Sequence, residues 1–287
     1  MAKPSLETDT GRRHTALVQG GECAYWRYGK PDGKTVVLIH GFRGDHHGLE
    51  LIANHLANFD VIVPDLPGFG DSEALRDARH DLDALGAWLR EFILTLNVDR
   101  YTLVGHSFGT LVVASALSGD ITPNRVVLIN PISAPALEGP KGILSKFAHL
   151  YYLTAQSLPS SFGNALLKNR VMVRAMSGVM AKTNDKQLRA WIHEQHALYF
   201  SNFANREALL EMFEASISAT VPQYADNFTM QTVIVAGEID DITPLEKQLR
   251  LTAALADSKL VVAEGVGHLT HYEAPTLAAS AIRSVTE

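Results

Sequence analysis

Short runs of β-branched and other apolar residues recur along this 287-residue chain, and longer stretches with helical periodicity separate them. Such an alternation is typical of a parallel β-sheet whose strands are joined by crossover helices. Near-continuous Val, Ile and Leu runs favour strands that are buried on both faces of the sheet. The predicted strands are residues 35–39, 60–63, 101–104, 126–129, 232–235 and 260–262.

The segments around these strands predict an antiparallel hairpin and a set of helices. Residues 14–18 and 23–28 form the expected hairpin, which turns at Gly20-Gly21. Residues 1–12 are polar and are expected to be flexible. Apolar residues at spacings of three and four predict helices over 47–57, 80–96, 108–118, 244–256 and 272–284.

One long interval interrupts the alternation. About a hundred residues between the predicted strands 126–129 and 232–235 contain no convincing strand, and a structureless loop of that length is uncommon inside a compact domain. We therefore predict a helical cap over residues 134–225, inserted into a core formed by residues 13–133 and 226–287. The cap has four helical patterns, near 142–156, 163–180, 185–200 and 205–219.

Composition limits the class of function. Hydrophobic residues make up 46% of the chain and charged residues 20%, as in an ordinary globular protein. The formal net charge of −6 argues against a nucleic-acid partner, because phosphate binding needs a basic surface. Cys23 is the only cysteine, so no intramolecular disulfide can form, and we expect a structural thiol. The sequence has no signal-peptide core and no long apolar run, so we expect no transmembrane segment and a cytoplasmic location.

The most specific motif is Gly105-His106-Ser107-Phe108-Gly109, which lies between a predicted buried strand and a predicted helix. This is the context of a nucleophile elbow, a sharp turn that holds the central serine in a strained conformation between glycines. The free N–H groups at the start of the next helix favour a developing oxyanion. The motif therefore predicts that Ser107 is a catalytic nucleophile.

A serine hydroxyl needs a base, and the base needs an orienting carboxylate. His268 follows the last predicted strand, which places it at the same sheet edge as Ser107. His271 is close behind, but we expect it to open the final helix and point to solvent. Asp240 or Asp241, after the preceding strand, can supply the carboxylate, and we favour Asp240. Thr243 is the expected cap of the helix that begins near residue 244.

The remaining catalytic element is an oxyanion hole. His40-Gly41-Phe42 follows the strand that ends at residue 39. The backbone N–H groups of Phe42 and Phe108 can converge on one point, and each such donor contributes about 3–4 kcal/mol to transition-state stabilisation. We expect His40 to be structural and to brace this loop by hydrogen bonds.

Taken together, these motifs resemble those of the α/β-hydrolase superfamily, and more narrowly its lidded fold-1 members. The resemblance implies an α/β fold with a mostly parallel eight-stranded sheet flanked by helices, and a helical cap inserted after the sixth strand. It also implies Ser107 as nucleophile, Asp240 as acid and His268 as base, with no cofactor. Many relatives have a second glycine after the elbow, where this chain has Thr110. The segments that carry the resemblance are His40-Gly41-Phe42, residues 65–72, residues 105–109, residues 237–240 and Gly267-His268.

The cap is rich in large apolar side chains, which favour packing on the core and a lipophilic pocket. The candidate substrate contacts are Arg43, His106, Tyr152 and Met176. Arg43, His46 and His47 could touch a polar substrate group, although a solvated loop is the expected role of that segment. No spacing indicates a metal site. The expected partner is a small-molecule substrate, and the chain is expected to be a monomer or a homodimer.

These residues predict two-step acyl transfer to Ser107 and hydrolysis of a carboxylic ester or related acyl bond. Carbon–carbon hydrolysis or elimination by the same triad is the first alternative. A non-catalytic binding protein on the same fold is the second, and it is disfavoured because all triad members are present.

Overall fold

The computed structural model describes residues 10–135 and 142–287, with the backbone alone over 142–149. Eight strands form one sheet in the order β1-β2-β4-β3-β5-β6-β7-β8. β1 and β2 pair antiparallel, β2 and β4 pair antiparallel, and the other neighbours are parallel. The predicted mostly parallel eight-stranded sheet is therefore confirmed. The strands are β1 (Arg12–Val18), β2 (Gly21–Gly29), β3 (Thr35–Ile39), β4 (Asp60–Pro64), β5 (Tyr101–His106), β6 (Arg125–Ile129), β7 (Thr232–Gly237) and β8 (Ser258–Ala263).

The N-terminal hairpin forms, but its turn lies one residue earlier than the predicted Gly20-Gly21, since Gly21 already belongs to β2 and pairs with Val18. Its two connecting residues, Gln19 and Gly20, have φ angles of 49° and 73°, as a two-residue hairpin turn with the native strand twist requires. The expected flexible segment 1–12 falls largely outside the described residues, but Arg12 already belongs to β1 and pairs with Arg27.

Helices cover both faces of the sheet, and each face has its own apolar core. Alternate residues of β3 point to opposite faces: Val37 and Ile39 pack in one cluster and Val36 and Leu38 in the other. The helices are α1 (Glu50–Asn54), α2 (Leu82–Leu96), α3 (Phe108–Ala116), α4 (Gly142–Ser157), α5 (Ser160–Leu167), α6 (Arg170–Met180), α7 (Lys186–Tyr199), α8 (Arg206–Ser218), α9 (Leu245–Ala254), α10 (Thr270–Glu273) and α11 (Pro275–Thr286). Short 3₁₀ helices span His46–Leu49 and Val221–Asn227.

Two predicted helices are each divided in the structure. The pattern over 163–180 becomes α5 and α6, because the Asn169 side chain accepts hydrogen bonds from the N–H groups of Val171 and Met172 and starts a new helix. The pattern over 272–284 becomes α10 and α11. The break precedes Pro275, which has no N–H to continue the first helix.

Helices α4–α8, called the cap helices below, lie between β6 and β7 in the chain. They contact the core along the loop that follows β4. The N–H of Ala204 donates to the carbonyl of Gly68 at 2.9 Å, and the N–H of Gly70 donates to the carbonyl of Asn202 at 3.1 Å. Within the described part of the chain, no helix combines the length and apolar character needed to cross a bilayer.

Candidate active site

Ser107 occupies the sharp turn between β5 and α3. Its φ and ψ are 51° and −119°, a conformation that residues with a side chain seldom adopt. The two flanking positions must be glycine, because backbone atoms lie too close to leave room for a Cβ there. A Cβ on Gly109 would lie 2.4 Å from the carbonyl oxygen of Ile39, and one on Gly105 would lie 2.7 Å from the carbonyl oxygen of Gly109. The turn therefore depends on both glycines.

Thr110, the departure from the usual second glycine, also braces the turn. Its hydroxyl donates to the carbonyl oxygen of Ser107 at 2.6 Å and accepts from the N–H of Ile132 at 3.3 Å. The side chain thus links the elbow to the segment that follows β6.

The structure brings together the three side chains predicted to act as a triad. Ser107 Oγ lies 2.8 Å from His268 Nε2. On the other side of the ring, His268 Nδ1 lies 2.8 Å from Asp240 Oδ2. Because Asp240 Oδ2 accepts a hydrogen bond from the Nδ1–H of His268, the neutral imidazole presents an unprotonated Nε2 to the serine hydroxyl. This is the geometry a general base needs.

Asp240 is buried and accepts five hydrogen bonds. Its Oδ2 accepts from His268, from Asn130 Nδ2 at 2.9 Å and from the Thr243 hydroxyl, and its Oδ1 accepts from the N–H groups of Ile242 and Thr243. Burial opposes ionisation, but the charge of His268 and these hydrogen bonds outweigh it and lower the pKa of Asp240 well below its usual value. The carboxylate is therefore ionised at neutral pH.

Two contacts of Asp240 differ from the sequence analysis. Thr243 is not a helix cap, since α9 has Pro244 in that position and no side-chain cap bond. Its hydroxyl is directed to the carboxylate instead. Asn130 was not predicted, although a polar residue that directly follows a buried parallel strand is a usable signal. Its φ of 48° turns the amide toward the site.

The loop after β3 places Phe42 at the same cavity as Ser107 and Phe108. His40 braces this loop as expected. Its Nδ1–H donates to the carbonyl of Gly41 at 2.8 Å, and its Nε2 accepts from the N–H of Leu66 at 2.8 Å. The N–H of Phe108 belongs to the first turn of α3, where helical donors have no partner within the helix. Phe42 and Phe108 thus border the cavity beside Ser107.

Two further histidines lie beside the site. The expectation that His271 points to solvent is wrong: it is buried, with its ring centroid 4.1 Å from that of His106. Burial, with the nearby charge of His268, lowers the pKa of His106 to about 3. Burial likewise holds the pKa of His271 well below its usual value. Both rings are therefore neutral at physiological pH.

The loop that contains Arg43 and His46 is buried, so the expected solvated loop is wrong. Arg43 borders the cavity, but its guanidinium donates to protein acceptors on the cap helices. His46 stacks on Trp26 at 3.3 Å between ring centroids, and its Nδ1 lies 3.0 Å from Asp65 Oδ1. The sequence contained no signal for this stack, because its members are distant in the chain.

The part of the chain that the structure describes contains one group with metal-ligand spacing. Asp45, His46 and His47 place one ligand atom each within 4.8 Å of one another. Both ring nitrogens nearest the carboxylates are already engaged, His46 Nδ1 with Asp65 and His47 Nδ1 with Asp45 at 3.0 Å. These hydrogen bonds indicate that the three residues stabilise the loop.

A cavity of about 430 Å³ opens above Ser107, between the core and the cap helices. All four candidate substrate contacts, Arg43, His106, Tyr152 and Met176, border it. Its walls are mostly apolar. The apolar lining residues from the cap helices include Tyr152, Met172, Met176, Val179, Phe213 and Ile217.

A parallel sheet that presents a serine on a strand–turn–helix at its carboxyl edge is the arrangement typical of α/β-hydrolases. The chain belongs to the alpha/beta hydrolase fold family, whose sequence model matches residues 34–275. The predicted superfamily and enzyme class are thereby confirmed.

Relatives across the family agree with this assignment. The uncharacterized hydrolase YugF of Bacillus subtilis is 28% identical over 270 residues, which cover 93% of this chain and 94% of the relative. The 2-hydroxy-6-oxononadienedioate/2-hydroxy-6-oxononatrienedioate hydrolase 1 of Pseudomonas putida is 26% identical over 259 residues, which cover 84% of each chain. A bromoperoxidase structure from Bacillus anthracis superposes with a TM-score of 0.77 at 20% identity, covering 96% of this chain and 99% of the other. At this level of identity, the similarity to the bromoperoxidase structure shows only a shared fold.

Proposed function

We propose that the protein hydrolyses a carboxylic ester of a small, uncharged, lipophilic substrate through Ser107, His268 and Asp240. The observation that carries the proposal is the continuous contact from Ser107 Oγ through the His268 ring to Asp240 Oδ2, with 2.8 Å at each step. The cap helices, within residues 134–225, would close the substrate cavity and exclude bulk water.

The reaction has two steps. Ser107 Oγ attacks the ester carbonyl carbon while His268 Nε2 takes the hydroxyl proton, and Asp240 stabilises the resulting imidazolium. The tetrahedral intermediate then collapses, His268 returns the proton to the leaving alcohol oxygen, and an acyl-enzyme forms. Water, deprotonated by His268, attacks the acyl carbon and releases the carboxylic acid and the free serine.

The N–H groups of Phe42 and Phe108 would stabilise the oxyanion. Each donor of this kind contributes on the order of 10²–10³ in kcat, because it is aimed at a charge that exists only in the transition state. Thr110 and His40 hold the two loops that present these donors.

The cavity walls favour an uncharged substrate. Among the described residues that border it, Arg43 is the only lysine or arginine. Its Nε, Nη1 and Nη2 already donate to Phe200, Tyr152 and Leu167. A substrate carboxylate in this cavity would find no lysine or arginine free to pair with it, and desolvating an unpaired charge is costly.

Carbon–carbon bond hydrolysis is the second candidate function. It is supported by the Pseudomonas putida relative, whose name describes action on dioate substrates. The engaged guanidinium of Arg43 weighs against a dicarboxylate in this cavity. Hydrolysis of an uncharged ester is therefore the better match.

A substrate panel tests the proposal. p-Nitrophenyl esters of increasing acyl length, a p-nitrophenyl hemisuccinate, a dienone and an anilide would be compared by kcat/KM. We expect turnover of the neutral esters, and a loss of activity on the order of 10⁴ or more in Ser107→Ala. Ser157→Ala, a control at an exposed cap serine, should keep wild-type rates.

Two results would overturn the proposal. Ester turnover that persists in Ser107→Ala would exclude Ser107 as the nucleophile. Turnover of the dienone with none of the esters would assign the carbon–carbon alternative instead.

A further inference from the structure

We infer that Arg43 is a positioning residue that couples the placement of the cap helices to the geometry of the Phe42 amide in the oxyanion hole. The inference rests on the proposed function, which assigns that amide to the oxyanion. Arg43 directly follows Phe42 in the chain. A displacement of its backbone reorients the Phe42–Arg43 peptide directly, and through Phe42 it can shift the Gly41–Phe42 peptide that carries the Phe42 N–H.

The backbone at Arg43 is held in an unfavourable conformation. Its φ is 60°, in the left-handed region that residues with a side chain seldom adopt. Such a conformation persists only where the surroundings hold it. The contacts of the Arg43 side chain identify what holds it here.

The guanidinium is buried and donates to three helices of the cap. Nε donates to the carbonyl oxygen of Phe200 at 2.9 Å, Nη2 to the carbonyl oxygen of Leu167 at 2.7 Å, and Nη1 to the hydroxyl of Tyr152 at 3.2 Å. The rings of Phe200 and Phe203 lie 5.9 and 5.8 Å from its central carbon. One side chain thus connects the loop after β3 to α4, α5 and α7.

The two carbonyl acceptors are at helix C-termini. Leu167 is the last residue of α5 and Phe200 directly follows α7. Carbonyls at these positions have no partner within the helix and lie at the negative end of the helix dipole, so a buried cation stabilises them. The planar fork of arginine carries its donors on three nitrogens and can reach acceptors on different helices, whereas a lysine donates from a single nitrogen. Displacement of either helix would leave a buried charge with unsatisfied donors.

Other contacts between the cap helices and the core reach different segments. Lys182, just after α6, donates to Asp241 at 2.7 Å, and Ala204 donates to Gly68 at 2.9 Å. These contacts can hold the cap in place when Arg43 is replaced. The phenotype of an Arg43 variant should therefore be confined to the loop that contains Phe42.

The expected kinetic signature follows from the role of Phe42. The oxyanion contact is made in the transition state, so a misplaced Phe42 N–H lowers kcat and leaves KM nearly unchanged. Misplacement of a catalytic group by about 1 Å can cost on the order of 10²-fold in rate. Removal of packing alone would instead lower stability or raise KM.

The test compares Arg43→Lys and Arg43→Met with the control Arg206→Met on a neutral p-nitrophenyl ester. Arg206 is a matched control because it donates to the carbonyls of Ala155 and Leu158 at 3.0 and 2.8 Å, near the end of α4, without touching the Phe42 loop. We expect kcat to fall about 10²-fold in both Arg43 variants, with KM changed less than about threefold. Arg206→Met should lower the melting temperature but keep kcat.

Inhibitor binding supplies a readout that a purely structural role would not alter. An alkyl trifluoromethyl ketone, which adds to Ser107 and forms an oxyanion, would be compared with the matched methyl ketone, which stays trigonal. In Arg43→Lys we expect the affinity of the trifluoromethyl ketone to fall by the same factor as kcat. The affinity of the methyl ketone should change less than about threefold.

Several outcomes would overturn the inference while leaving the proposed function intact. These are a wild-type kcat in Arg43→Lys, equal losses of kcat in the Arg43 and Arg206 variants, or equal weakening of both ketones. Absence of ester turnover in the wild-type enzyme would instead refute the proposed function itself.

Discussion

Replacing Asp240 by Asn should remove activity by forcing His268 into the wrong tautomer. The substitution changes one carboxylate oxygen into an NH₂ group, and the structure determines which one. If the NH₂ replaced Oδ1, it would face the backbone N–H groups of Ile242 and Thr243, which cannot reverse their polarity. Two opposed donors cost roughly 1–3 kcal/mol each, so this orientation is disfavoured by about 2–6 kcal/mol.

With the NH₂ in place of Oδ2, the neighbours can adapt. One hydrogen of the NH₂ group faces His268, and the other can be accepted either by the Thr243 hydroxyl, which can rotate, or by Asn130 Oδ1, which is buried without a hydrogen-bond partner among the described residues and can be turned toward it by an amide flip. His268 must then accept at Nδ1, which moves its proton to Nε2. An Nε2 that bears a proton cannot take the proton of Ser107.

The expected result is a loss of about 10⁴-fold in kcat with a loss of only about 1–2 kcal/mol in the free energy of unfolding. Steady-state hydrolysis of a p-nitrophenyl ester and urea titration measure the two quantities. Asp241→Asn is the matched control, since Asp241 pairs with Lys182 whereas His268 pairs with Asp240. Activity of Asp240→Asn within tenfold of the wild type, or an equal loss in Asp241→Asn, would refute the reasoning.

Gly109→Ala should lower the free energy of unfolding by about 3 kcal/mol or more, because the new Cβ lies 2.4 Å from a backbone carbonyl oxygen. The control Gly178→Ala, within α6, should instead raise the free energy of unfolding. Equal urea midpoints for the two variants would contradict this. Burial, with the charge of His193, lowers the pKa of His196 to about 3. Below about pH 6.5 this side chain therefore binds a proton in the unfolded chain but not in the folded one, and the free energy of unfolding falls as the pH falls. Near pH 5, His196→Gln should therefore reduce the slope of the free energy of unfolding against pH by about 1.4 kcal/mol per pH unit. An unchanged slope would argue against a buried neutral His196 ring. Met176→Trp should reduce kcat/KM for long acyl esters more than for acetates, because Met176 borders the cavity; equal reductions would place the acyl chain elsewhere.

The sheet could be predicted because its strands are continuous apolar runs that are buried on both faces. The predicted strand 35–39 has the same bounds as β3, and the other predicted strands differ from the observed ones by a few residues at their ends. Helix boundaries were less predictable, since they depend on single capping residues. Asn169, for example, begins α6 inside what the apolar periodicity predicts as one helix.

The Ser107–His268–Asp240 arrangement was accessible from the sequence, because each residue follows a strand and parallel strands end at one edge. Contacts between distant segments were not accessible. His271 has a polar side chain near the start of a short helix, which favours exposure, yet it packs against His106. Arg43 lies on a loop, where local sequence predicts solvation, but the cap helices bury it.

Labelling with a fluorophosphonate tests the central claim most directly, because the probe phosphonylates a serine that a neighbouring base has activated. The account predicts one phosphonyl adduct per chain, located by mass spectrometry on the peptide that contains Ser107, and loss of labelling in His268→Ala. An unmodified wild-type protein, or an adduct on another residue, would contradict it.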